Sequence, residues 1–100
     1  MYTVRLTQEF QDWLDGLMDV RAQARIAARL RQAELGNLGD WKSVGEKVSE
    51  MRVDVGPGFR LYFTLRRRIV VVMLAGGDKS TQKRDIRRAQ RIARELESES

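Results

Sequence analysis

The stretch from Val48 to Ala75 constrains the fold more than any other part of the chain. Residues 48–55 alternate, with Ser49, Met51, Val53 and Val55 on one side and Val48, Glu50, Arg52 and Asp54 on the other. Residues 59–65 alternate again, setting Phe59, Leu61, Phe63 and Leu65 against Arg60, Tyr62 and Thr64. Period-two alternation marks strands with one apolar face. Gly56-Pro57-Gly58 between them is a glycine-containing connection of hairpin length. Ile69–Ala75 is then continuously apolar, as in a central strand covered on both faces. Three such strands in succession predict an antiparallel meander.

Helical spacing surrounds this core. Tyr2–Leu6 reads as a short strand, and Thr7 as the N-cap of a helix that buries Phe10, Trp13, Leu14 and Leu17. Asp19 caps a second helix with Ala22, Ile26, Leu30 and Ala33 on one stripe, and Gly36 ends it. The last helix, capped by Ser80 or Thr81, buries Ile86, Ala89, Ala93 and Leu96. The order β-α-α-β-β-β-α predicts an α+β fold, an antiparallel sheet with helices packed on one face. With 100 residues, 42% of them hydrophobic, the chain suffices for one core, which makes 1–100 one expected domain.

Composition narrows the chemistry. The chain has no cysteine and no histidine, so thiolate nucleophiles, imidazole triads and the usual zinc ligands are excluded. Acid–base work falls to Lys, Tyr, Asp or Glu. No metal site and no cofactor are expected. The longest apolar run is far shorter than the about 20 residues a bilayer demands, so no membrane partner is expected. The N-terminal residues form no apolar signal core, which makes the cytoplasm the expected location. The net charge of +5 is unevenly spread: residues 60–94 carry 11 basic and 2 acidic residues, and the remainder 8 basic and 12 acidic. Such a field attracts polyanions, phosphate backbones first among them, although a solvated helix face has the same composition.

Two constellations could use that charge. Pairing Val55 with Phe59 sets Arg52 opposite Tyr62 and Asp54 opposite Arg60, all on the polar face of the sheet. Arginine forks grip phosphate and tyrosine can stack on a base or pass a proton; equally, Asp54–Arg60 reads as a cross-strand ion pair worth under about 1 kcal/mol. The second is Gly76-Gly77-Asp78-Lys79-Ser80-Thr81-Gln82-Lys83, read as a loop opening the last helix. Its glycines permit close backbone approach and its helix start favours anions, yet an ordinary strand-to-helix turn fits as well.

Val48-Ser49-Glu50-Met51-Arg52-Val53, Gly56-Pro57-Gly58-Phe59-Arg60-Leu61-Tyr62-Phe63 and Gly76-Gly77-Asp78-Lys79-Ser80-Thr81-Gln82 together resemble the phage Gp49-like branch of the RelE/ParE toxins, addiction-module killer proteins similar to HigB toxins. Glu34–Lys42 and Val44-Gly45 fit the same family. The resemblance implies a RelE-like fold and the toxin of a bacterial type II toxin–antitoxin pair. Its expected partners are a cognate antitoxin, a small helix-turn-helix protein, together with mRNA and the ribosome. The expected activity is metal-independent endoribonuclease cleavage of mRNA that inhibits translation; the alternative is a ParE-like poison of DNA gyrase. Carried over by position, Arg52 and Arg60 match the family's sheet arginines and Lys79 its basic loop, with Tyr62 and Gln82 fitting more loosely. The expected catalytic set is Arg52, Arg60, Lys79, Tyr62 and Glu50, and Gln82, Lys83, Arg84 and Arg87 are the expected RNA contacts. Phe59 stands where relatives commonly have tyrosine and Ala75 where cysteine is frequent. Without histidine, proton transfer falls to Lys79, Tyr62 or Glu50.

Overall fold

The computed structural model describes residues 1–99; Ser100, the last residue of the expected 1–100 domain, lies outside the described residues. The elements are β1 (Thr3–Leu6), α1 (Gln8–Asp15), α2 (Val20–Glu34), β2 (Trp41–Gly45), β3 (Val48–Val53), β4 (Phe59–Arg66), β5 (Val70–Asp78), a 3-10 turn (Lys79–Thr81) and α3 (Gln82–Glu99). The fold is α+β, as the alternation and helical spacing predict. Thr7 caps α1 by accepting from the Phe10 N–H at 3.2 Å, and Asp19 caps α2 by accepting from Arg21 and Ala22. Gly36, at φ +102°, follows the last turn of α2, where a residue with a Cβ would be strained.

The sheet has five strands in the order β1-β5-β4-β3-β2. The meander β3-β4-β5 is antiparallel, whereas β1 pairs with β5 in parallel, so the sheet is mixed. β2 is an edge strand absent from the predicted order. Its residues are almost all exposed, so no apolar alternation announces it.

Two features correct the expectation for the layers. Helices cover both faces of the sheet, not one. On one side α1 and α2 lay Phe10, Ala22, Ile26 and Ala33 against Met51, Val53, Leu61, Phe63 and Met73. On the other, α3 lays Ala89, Ile92 and Ala93 against Val48, Tyr62, Val72 and Leu74. The register also differs: Val53, not Val55, faces Phe59, so Arg52 stands opposite Arg60 and Glu50 opposite Tyr62. The chain leaves the ladder early because Val55 N–H bonds back to Val53 O at 3.0 Å and Gly58 N–H to Val55 O at 3.1 Å. Gly56 and Gly58 at φ +55° and +83° then turn the loop.

Strand β5 runs on through Gly76, Gly77 and Asp78, pairing Gly77 with Arg60 and Asp78 with Phe59. The expected glycine loop is therefore strand. A Cβ on Gly76 would lie 2.2 Å from the Trp13 ring and one on Gly77 1.9 Å from the Asp85 carboxylate. These glycines admit an indole from one face and a helix carboxylate from the other. The expected cap moves too: Asp78 caps the 3-10 turn by accepting from the Ser80 N–H at 2.8 Å, while the Thr81 hydroxyl donates to buried Asp85.

Candidate anion-binding groove

Where β3 ends, β4 begins and β5 gives way to the 3-10 turn, the surface forms a shallow cavity of about 500 Å³. Arg52, Arg60, Lys79 and the loop 54–58 line it. Lys79 N–H bonds to Gly58 O at 3.0 Å, which ties the end of β5 to the turn. The meander thus brings together three of the five residues expected to act, each from a different element.

Arg52 and Arg60 are direct cross-strand partners. Like charges so placed repel one another and lower stability. Arg52 is half exposed and is held by Asp40, whose Oδ2 lies 3.0 Å from Nη2 and 3.2 Å from Nε. The Arg52 carbonyl accepts a short bond from Arg29, which also donates to Leu38 O at 3.1 Å. Burial lowers the Arg29 pKa, while Asp40 and Asp54 act the other way.

Arg60 is buried, and its hydrogen-bonding capacity is largely unspent. Nη1 reaches Phe59 O only at 3.5 Å, and Nε lies 3.7 Å from Glu50 Oε1 with no hydrogen bond. A buried guanidinium with free donors is suited to an anion carrying several oxygens. Glu50 is fully buried; its Oε2 accepts from Gln82 Nε2 at 2.7 Å. Tyr62 is also fully buried, with no well-formed hydrogen bond on its hydroxyl. Burial, and after it the Glu50 carboxylate, push the phenol well above its ordinary pKa.

These placements separate the expected residues. Arg52, Arg60 and Lys79 face the groove, whereas Glu50 and Tyr62 lie beneath it under α3, closed to solvent. Among the expected RNA contacts, Lys83, Arg84 and Arg87 are exposed and line, with Lys79, an adjoining depression of about 480 Å³. Gln82 borders the same depression but commits its amide to Glu50. Asp40 has no sequence signal for its place: the loop bringing it to Arg52 turns at Gly36 and Gly39, both at positive φ. A larger cavity, about 550 Å³, lies at the far end of the sheet, where Lys47 and Arg94 are already paired with Glu97 and Glu46. No helix among the described residues is long and apolar enough to cross a membrane.

Residues 12–97 match the family described as phage-derived protein Gp49-like. The chain is also similar to a Haemophilus influenzae (strain Rd) protein described as uncharacterized, 43% identical over 93 residues that cover 93% of this chain and 94% of the relative.

Proposed function

Since the chain belongs to the Gp49-like family of phage-derived proteins, a family of HigB-like, RelE-type toxins associated with toxin–antitoxin systems, we propose that it is a toxin acting as a metal-independent endoribonuclease on translated mRNA in the cytoplasm. The observation that carries this reading is the direct pairing of Arg52 with Arg60 at a groove shared with Lys79. Two arginines face to face cost stability when nothing lies between them, and a phosphodiester between them reverses the sign of that interaction.

In this reading the RNA's own 2′-hydroxyl attacks the neighbouring phosphorus. Arg52 and Arg60 hold the phosphate and stabilise the charge that grows on its oxygens, an electrostatic contribution that usually dominates such reactions. Lys79 protonates the leaving 5′-oxygen. Lys83, Arg84 and Arg87 extend the positive surface along the strand and position it without reading sequence. The toxin's partner is an antitoxin, a small helix-turn-helix protein that opposes the basic 60–94 segment with acidic and apolar residues. Co-expression with such a neighbouring gene product should give a complex that survives sizing at moderate salt.

Expression of the chain should arrest growth and create new 5′-hydroxyl ends within translated messages. Arg52→Ala, at an exposed side chain, should lower cleavage about a hundred- to a thousandfold with the fold intact. Growth arrest with intact messages and accumulating double-strand DNA breaks would replace this reading with gyrase poisoning.

A further inference from the structure

A transesterification of this kind needs a group to accept the 2′-hydroxyl proton, and neither of the buried candidates can touch RNA. Glu50 and Tyr62 have no exposed surface. Among the residues that line the groove one is acidic, Asp54, the first residue of the loop between β3 and β4. Asp54 follows Arg52 by two residues, and both line the groove.

Aspartates and asparagines in turns ordinarily spend their side-chain oxygens on nearby backbone N–H groups. Three others in this chain do so. Asp19 accepts from Arg21 N–H at 2.9 Å, Asn37 from Gly39 N–H at 2.9 Å, and Asp78 from Ser80 N–H at 2.8 Å. The 54–58 loop closes instead through its backbone, by Val55 N–H to Val53 O and Gly58 N–H to Val55 O. Among the described residues Asp54 caps nothing and joins none of the ion pairs, while Asp40 is committed to Arg52. The loop is also fixed in place, since Gly58 O is anchored by Lys79 N–H. Arg29 of α2 attracts Asp54, and Arg52, Arg60 and Lys79 line the same groove. Two carboxylates stand nearby as well: Asp40, which acts on Arg29 and pairs with Arg52, and Asp19, whose Oδ2 lies 3.8 Å from where a Cβ on Gly56 would sit.

We propose that Asp54 is the general base of the cleavage, an inference that rests on the ribonuclease reading above. The 2′-oxygen forms its bond to phosphorus as its proton passes to the Asp54 carboxylate. The bond from phosphorus to the 5′-oxygen breaks, its electron pair leaves with that oxygen, and the Lys79 ammonium supplies the proton. The products are a 2′,3′-cyclic phosphate and a 5′-hydroxyl end. Proton exchange with water restores Asp54 and Lys79.

The test is single-turnover cleavage of a defined message on programmed ribosomes by the wild-type chain, Asp54→Asn and Asp54→Glu. Asp54→Asn should lose about a hundredfold or more in rate, the usual contribution of a positioned base, while its binding to the same message is not weakened. Asp54→Glu, which keeps a carboxylate, should retain part of the rate. Melting curves matching the wild type's exclude a folding defect. If the wild type cleaves and Asp54→Asn matches its rate, the assignment of Asp54 falls and the ribonuclease reading stands. If the wild type makes no new ends, both fall.

Discussion

The side-chain amide of Gln82 donates to the Glu50 carboxylate at 2.7 Å, so the first residue of α3 holds the counter-ion of a sheet arginine. Removing one partner of a buried ion pair leaves an uncompensated charge. Glu50→Ala, which abandons Arg60, should therefore cost about 3–5 kcal/mol. Gln82→Leu deprives one carboxylate oxygen of its donor and should cost about 1–3 kcal/mol. Urea denaturation measures both. A Gln82→Leu penalty as large as that of Glu50→Ala would mean that the amide, not the ion pair, organises this interior.

Gly76 and Gly77 should resist even the smallest side chain. A methyl on Gly76 enters the Trp13 ring, and one on Gly77 meets Asp85, itself bonded to Thr81. Neither neighbour is a flexible surface group. Each alanine substitution should cost about 1–3 kcal/mol by overpacking. Trp13→Leu combined with Gly76→Ala should cost less than the sum of the two single changes, because the clash has been removed.

Asp78 gives the fold a pH dependence of predictable sign. Hydrogen bonds from the Ser80 hydroxyl and backbone hold its carboxyl below its ordinary pKa. A carboxyl depressed in the folded state contributes its full stability above the unfolded value, about 3.9, and loses it as pH falls through the folded value. Asp78→Ala should cost about 1 kcal/mol at pH 7, as the loss of a helix cap does. Denaturation repeated at progressively lower pH should show the gap between variant and wild type closing. A gap that stays constant into strong acid would mean that the ionised carboxylate is not what caps the turn.

The parts of this architecture legible in the sequence are those set by local rules. Thr7 and Asp19 cap helices because a short polar side chain reaches the first turn wherever it sits, and the Phe10 stripe points inward by spacing alone. What was hidden depends on distant neighbours. Arg60, Tyr62 and Thr64 alternate like a solvent face, yet all three are buried, Tyr62 beneath Ala89, Ile92 and Ala93 of α3. The register slipped by two residues because Val55 bonds to Val53 rather than across the hairpin. Period-two patterning keeps the same faces under such a shift, which is why Arg52 and Arg60 still share a side while their partners change. Gly76-Gly77 resembles a phosphate loop in composition, but only the placement of Trp13 and Asp85 explains the missing side chains.

Asp40 provides the sharpest separation between binding and stability. It pairs with Arg52 on an exposed surface, so the pair itself should contribute no more than about 1 kcal/mol. The loop does not depend on the carboxylate, since the Arg52 N–H also bonds to the Asp40 backbone carbonyl at 3.1 Å. A phosphate entering the groove competes with Asp40 for the same guanidinium. Asp40→Asn should therefore leave the melting temperature nearly unchanged and tighten binding to single-stranded RNA. It should also steepen the dependence of log K on log salt concentration by about 0.7, the increment for one further phosphate contact. Arg52→Ala should flatten that slope below the wild type's, and combining it with Asp40→Asn should give no recovery, because the cation that Asp40 holds is then gone. Weaker binding by Asp40→Asn would instead make Asp40 the residue that aims Arg52 at the phosphate.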